Sequence, residues 1–436
     1  MRRFIEGELE AWKDSRRRKP LIVRGARQVG KTFSIEQLGR NHFTELATVD
    51  FERNPDLHTL FESDLNPKSI VKELEVLTNR RIEPGKTLLF FDEIQACPRA
   101  IMALRYFYEE MPDLHVVAAG SLLEFVLSEI SFPVGRLQFL EMHPMSFVEY
   151  LWAIGKDKAA ETVQSRPGPV SASVHAMLLD ELKRYCFVGG MPEAVGTYVR
   201  TESIQETFSV HDELCENYRQ DFSKYAPRCD PACIDTVLLS AARDLGQQVN
   251  YSRLAGGFSH KTAKKALALL AKARLVREVR SATPSGLPLG AATSTKRRKA
   301  ILLDVGLWQH LAGMKAETEF ARKDLLGVYR GAMAEQLVGQ EMTLSQGPDL
   351  YYWSRAERGS SAEVDYLAVI DESIHGIEVK SGPAGKLKSM HRLLEDYPNC
   401  RGIVFSSGPY AELPEQNLTF IPLYFALSAT RRRQNQ

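Results

Sequence analysis

Gly25, Gly30, Lys31 and Thr32 spell G-x-x-x-x-G-K-T over residues 25–32. That spacing suits a loop whose backbone N–H groups close around phosphates at the start of a helix. The two glycines free the backbone for the wrap. Lys31 would neutralise the β- and γ-phosphates, and Thr32 would place a hydroxyl on Mg²⁺. Gln28, Val29 and Phe33 complete the expected nucleotide-binding set. Farther along, Thr87-Leu88-Leu89-Phe90-Phe91 runs into Asp92-Glu93. There Asp92 would hold Mg²⁺ through water and Glu93 would polarise the attacking water. A glycine turn before a helix, or a strand ending in a solvated acidic turn, would explain either stretch alone. Their occurrence together predicts ATP and Mg²⁺ as cofactors, and ATP binding and hydrolysis as the chemistry.

A second constellation lies near the C-terminal end. In Glu378-Val379-Lys380 on a strand, residues two apart point the same way, so Glu378 and Lys380 share a face. Asp365 lies upstream across a hairpin and can reach Glu378. With Glu335 from a preceding helix, these carboxylates are a candidate Mg²⁺ set of hard oxygen donors. Lys380 would then position or activate an attacking water and stabilise developing negative charge. Glu363 shares the face of Asp365 and is a further candidate. The alternative is an ordinary ion pair between Glu378 and Lys380 on a strand.

Elements must carry these residues. Leu21-Ile22-Val23 reads as a buried strand before the glycine loop, and an amphipathic helix follows from Phe33. Residues 46–51, 87–91, 115–121 and 137–143 read as further strands. Residues 2–18, 56–77 and 101–111 read as helices. Strands alternating with helices predict a parallel sheet covered on both faces. Residues 157–172, polar and with two prolines, are expected to be an exposed linker. Helices are expected over 174–185 and 204–225, with Gly189-Gly190-Met191-Pro192 as a hinge-like turn. Helices over 232–245, 251–255 and 259–273 precede strands over 275–279 and 300–303, an order that predicts a winged helix. Lys261, Lys264, Lys265 and Lys272 on its last helix, and Lys296-Arg297-Arg298-Lys299 on the wing, suit contacts to DNA phosphates. Solvated charge or a protein-docking module is the other reading of those lysines. Beyond them, a helix to about residue 342 and strands over 350–353, 363–369, 374–379 and 403–405 carry the second constellation.

The bulk numbers exclude several classes. With 436 residues the chain is expected to form more than one domain. A net charge of +1 excludes a strongly basic chain but leaves room for local basic patches. Six cysteines without a C-x-x-C pair give no zinc framework. No apolar run is long enough to span a membrane. A cytoplasmic protein is the expectation.

The words HPMSFVEYL (143–151), YCFVGGMPEAV (185–195) and NYRQDFSKY (217–225), set after the phosphate loop and acidic strand, carry a resemblance. Residues 1 to about 150 resemble an AAA+ ATPase of the archaeal-type P-loop clade. The whole chain resembles a family of uncharacterised prokaryotic ATPases with a C-terminal domain of unknown function. The order of Glu335, Asp365, Glu378 and Lys380 resembles the PD-(D/E)XK nuclease fold. The AAA+ resemblance implies that Ser121, at a strand end, senses the γ-phosphate. It also implies an arginine acting from a neighbouring subunit or domain, with Arg136 first and Arg99 and Arg105 as alternatives, and a homo-oligomer. The resulting expectation is an α/β chain in four parts: an AAA+ core (1–155), a helical lid and linker (156–228), a winged helix (229–310) and a PD-(D/E)XK-like α/β domain (311–436). Such a protein would hydrolyse ATP and act on DNA through a Mg²⁺-dependent nuclease site. The alternative is an ATP-driven switch or regulator whose last domain only binds DNA or a partner protein.

Overall fold

A computed structural model describes residues 1–62, 64–127, 135–225, 228–314, 330–357, 360–380, 382 and 386–431. The chain divides into two compact units. One comprises Arg2–His143 with Lys272–Arg274; the other comprises Met1, Pro144–Ala271 and Leu275–Gln436.

The first unit is built on five strands: β1 (Leu21–Arg24), β2 (Glu45–Asp50), β3 (Thr87–Asp92), β4 (His115–Gly120) and β5 (Gln138–Glu141). Their order is β2-β3-β4-β1-β5 and every pairing is parallel. β3 and β4 are buried at every residue. Continuous apolar runs are what a sheet covered on both faces requires. Val49, Phe51, Phe61, Phe91 and Phe107 belong to its core. The N-terminal helix is Phe4–Asp14, shorter than the 2–18 read from periodicity, and buries Ile5, Leu9 and Trp12. The segment read as one helix over 56–77 is a 3-10 turn, Pro55–Phe61, and a helix, Pro67–Thr78. Pro67 cannot continue a helix from before it but is well placed in a first turn, where Asn66 caps Lys68 and Ser69.

In the second unit, eight strands form one mixed sheet. They are β6 (Val276–Ala282), β7 (Thr293–Leu302), β8 (Leu350–Glu357), β9 (Ser360–Ile370), β10 (Ser373–Val379), β11 (Arg401–Ser406), β12 (Ala411–Leu413) and β13 (Leu418–Pro422). The order is β12-β13-β11-β10-β9-β8-β6-β7. The hairpin expected as a wing is therefore one edge of this sheet, with β6 parallel to β8. Helices Pro231–Arg243, Tyr251–Leu254 and His260–Lys272 precede it in the chain.

Two expectations need correction. The supposed linker begins with a helix, Asp157–Gln164, because Ala160 and Val163 supply a buried face before Pro167 interrupts the pattern. The turn at Gly189 and Gly190 is pinned rather than hinge-like. Asp304 Oδ1 accepts from Gly190 N–H at 2.6 Å, and Met145 N–H donates to Gly190 C=O at 2.6 Å. A Cβ on Gly190 would come within 2.1 Å of Met145 C=O, so only glycine fits.

Candidate functional site

The first site lies where β1, β3 and β4 end. Residues 25–30 leave β1, and helix Lys31–His42 starts from Gly30. Each glycine has its own reason. A Cβ on Gly25 would stand 2.3 Å from Met142 C=O, and Gly30 holds φ at +96°. Lys31 is 7 % exposed and donates from Nζ to the carbonyls of Gly25 (3.1 Å) and Ala26 (2.8 Å). Burial lowers its pKa to about 8, with Glu93 and Asp92 opposing. Thr32 Oγ1 donates to Asp92 Oδ2 at 2.8 Å. Asp92 Oδ1 accepts from Glu93 N–H at 3.0 Å, and burial raises the Asp92 pKa. Glu93 sits in the left-handed region and accepts from Gln95 Nε2. Ser121 is buried and accepts from Arg27 Nε at 3.2 Å. The fold thus gathers Lys31, Thr32, Asp92, Glu93 and Ser121, together with Arg27 and Gln95, which sequence reading left aside.

The three arginines stand elsewhere. Arg136 precedes β5, at the end of the sheet where β1 begins rather than where it ends, and its Nε pairs with Glu109 Oε1 at 2.6 Å. Arg105, in mid-helix, pairs with the same oxygen at 3.0 Å. Arg99 Nε donates to Phe61 C=O.

Thr32 and Asp92 place two hard oxygens side by side, a donor set that fits Mg²⁺ beside a bound nucleotide.

The second site lies on the large sheet. Tyr366 pairs with Ile377, which brings Asp365 beside Glu378 as strand alternation requires. Asp365 Oδ2 accepts from Val379 N–H at 2.7 Å. Lys380 Nζ pairs with Glu378 Oε1 at 2.5 Å. Glu335, 8 % exposed, comes from helix Arg330–Gln346. Burial raises the pKa values of Glu335 and Glu378 to about 7 in each case, with Asp365 adding to the effect. Glu378 Oε2 is buried without a hydrogen-bond partner among the described residues.

Lys299, expected on the wing, is 1 % exposed and belongs to this cluster. Its Nζ lies 2.6 Å from Glu363 Oε1, 3.0 Å from Glu335 Oε1 and 3.7 Å from Asp365 Oδ1. Burial opposes its charge, yet Glu335, Asp365 and Glu363 together raise its pKa. It is therefore unavailable to DNA. Arg298 is also engaged, with Glu278 at 2.9 Å, whereas Lys296 is exposed. The cations fail as a patch because the wing is a strand. Residues 297 and 299 face one way and 296 and 298 the other. That alternation was the signal that could have placed Lys299.

Glu335 and Asp365, expected in a metal shell with Glu378, face the Lys299 ammonium. Among the described residues no group of three or more His, Cys, Asp or Glu side chains is arranged to hold a metal ion. The carboxylates that would supply one converge on an ammonium instead.

Residues 17–151 match the family model of an AAA domain. Residues 179–318 match a domain of unknown function (DUF8612), and residues 330–425 match another (DUF4143). The parallel sheet and phosphate loop of the first unit fit that AAA domain. No curated protein matches the sequence. Among solved structures, C. elegans PCH-2 aligns at 11 % identity and TM-score 0.26, over 46 % of this chain and 62 % of that one. The chain thus spans less than two thirds of PCH-2. The Thermotoga maritima RuvB Holliday junction branch migration motor aligns at 15 % identity and TM-score 0.30, over 64 % of this chain and 89 % of that one. Drosophila ORC bound to DNA aligns at 14 % identity and TM-score 0.27, over 73 % and 95 %. Such low scores decide nothing about this chain. No helix among the described residues is long and apolar enough to cross a membrane.

Proposed function

We propose that this chain is an ATP-driven switch of the archaeal-type AAA+ group that acts on DNA without cutting it. The observation that carries the ATP reading is the 2.8 Å hydrogen bond from Thr32 to Asp92, beside Lys31 and Glu93. Lys31 would leave its own loop carbonyls for the β- and γ-phosphates, and Glu93 would take the proton of the attacking water. Mg²⁺, when bound, supplies charge neutralisation at the phosphates, and Thr32 and Asp92 are the residues to hold it. Ser121 would sense the γ-phosphate, and Arg136, remote from the loop of its own subunit, would serve a neighbouring copy. DNA would meet the exposed Lys261, Lys264 and Lys265 of the helix His260–Lys272, in a winged-helix arrangement.

Nuclease action is the second reading, favoured by Asp365, Glu378 and Lys380 sharing one face. Lys299 weighs against it, since three of the carboxylates already hold a cation. The test combines ATP turnover with cleavage of linear, supercoiled, single-stranded and branched DNA in Mg²⁺ or Mn²⁺. DNA-stimulated turnover that Lys31→Ala abolishes, with every DNA left intact, is the expected result. Turnover surviving Lys31→Ala overturns the ATP assignment. Cleavage by the wild type that Lys380→Ala removes restores the nuclease.

A further inference from the structure

We infer that Lys299 is a resident cation standing where a divalent metal ion would otherwise bind, and that removing it opens a divalent-cation site formed by Glu335, Glu363 and Asp365. The inference deepens the non-cutting reading of the large sheet and rests on it.

Donor counting supports the assignment. An ammonium has three N–H donors and no acceptor, and Lys299 Nζ faces three carboxylates, two of them at hydrogen-bond distance. The separations of 2.6 and 3.0 Å suit N–H···O bonds and exceed the ~2.1 Å that Mg²⁺ demands of its oxygens. The remaining acceptors are largely spoken for within the chain. Gln248 Nε2 donates to Glu363 Oε2 at 3.0 Å, Val379 N–H to Asp365 Oδ2, and Lys380 to Glu378 Oε1. Among the described residues Glu378 Oε2 is buried without a partner and Asp365 Oδ1 stands 3.7 Å from the ammonium, still short of the ~6 oxygens a hard divalent ion collects.

The cation is also fixed covalently. Lys299 pairs with Val279 on β6 and bridges to Gln248, so strand register delivers its ammonium to the carboxylates. Its Nζ lies 5.1 Å from the ring centroid of Tyr352, a second stabilising neighbour for a buried cation. Gly246, at φ +78°, closes the other side: a Cβ there would stand 2.6 Å from Glu335 Oε2. A tethered charge needs no dissolved ion and leaves no coordination site open for water or phosphate.

The experiment is Mn²⁺ titration of the full chain without nucleotide, followed by electron paramagnetic resonance, with Asp365→Asn as the marker of this cluster. Expected is identical Mn²⁺ binding by wild type and Asp365→Asn. Lys299→Met, neutral and similar in length, should bind an additional Mn²⁺ that Lys299→Met/Asp365→Asn does not. Thermal melting covers poor folding of the variant: Lys299→Met should melt lower than wild type and recover with Mn²⁺. Wild-type Mn²⁺ binding that Asp365→Asn removes overturns the inference. So does a Lys299→Met protein that neither binds nor is stabilised by the ion. Failure here is distinct from failure of the non-cutting reading. Mn²⁺ held at Asp365 with DNA intact sinks only the inference, whereas DNA cleavage with no Mn²⁺ held at Asp365 sinks only that reading.

Discussion

Lys31 Nζ is bonded to two carbonyls of its own loop, so phosphates arriving there would have to exchange with those acceptors. Removing the ammonium takes away the charge that repays this exchange. Lys31→Ala is expected to abolish measurable ATP binding in a calorimetric titration. Glu93 should behave differently, since the part proposed for it is with the attacking water and not with the phosphates. Glu93→Gln is expected to lower ATP turnover by about 10²–10⁴-fold while nucleotide affinity stays near wild type. A large loss of affinity in that variant would mean Glu93 holds the loop rather than the water. At this scale the gathering of Lys31, Thr32, Asp92 and Glu93 was legible because local spacing marks each of them. Arg27 was not, since its partner Ser121 becomes a neighbour only through the fold, and Gln95, two residues from its partner Glu93, belongs to no spacing motif that would single it out.

Among elements, the buried polar contacts of the second unit decide more than its apolar ones. Asp304 is fully buried and accepts from Gly190, Gly306 and Leu307 N–H groups. Asp304→Ala would strand those donors, at a cost of roughly 1–3 kcal/mol for each one left unsatisfied. Chemical denaturation should show a loss of at least about 2 kcal/mol. Glu341 supplies a pH dependence. Its carboxylate accepts from Phe147 N–H at 2.9 Å, and burial raises its pKa to about 8 from an ordinary 4.5. The folded state then binds a proton that the unfolded chain releases, so stability is greatest below the unfolded value and falls as pH rises towards 8. Melting temperatures measured from pH 5 to 8 should decline, and Glu341→Gln should flatten the decline. Sequence periodicity could not reveal this layer. Helix Arg330–Gln346 buries Glu335, Gln336, Gln340 and Glu341 among its apolar residues, so its face lacks the contrast that amphipathic reading needs. Strand reading fared better at β9 and β10, where Asp365 and Glu378 lie as alternation predicted. It failed at β7 because the strand was read as starting at residue 300, which left the four cations ahead of it, whereas it starts at Thr293.

For the molecule as a whole, 56 cationic and 55 anionic side chains nearly cancel, so any hold on DNA must come from a local patch rather than a general field. Lys264 and Lys265 are the sharpest test. Their joint replacement by alanine should weaken DNA binding without changing sequence preference, and should flatten the dependence of log K on log salt by about 0.9 for each phosphate no longer neutralised. Unchanged salt dependence would place the DNA on another surface. The hydrogen bonds between β6 and β8 bear on how the protein can be divided. A polypeptide starting at residue 330 would leave β8 with an uncovered row of amides and carbonyls and would strand Glu335, Glu363 and Asp365 without their lysine. Such a fragment should recruit other copies edge to edge and elute as aggregate, whereas one starting ahead of residue 229 carries its own selvedge.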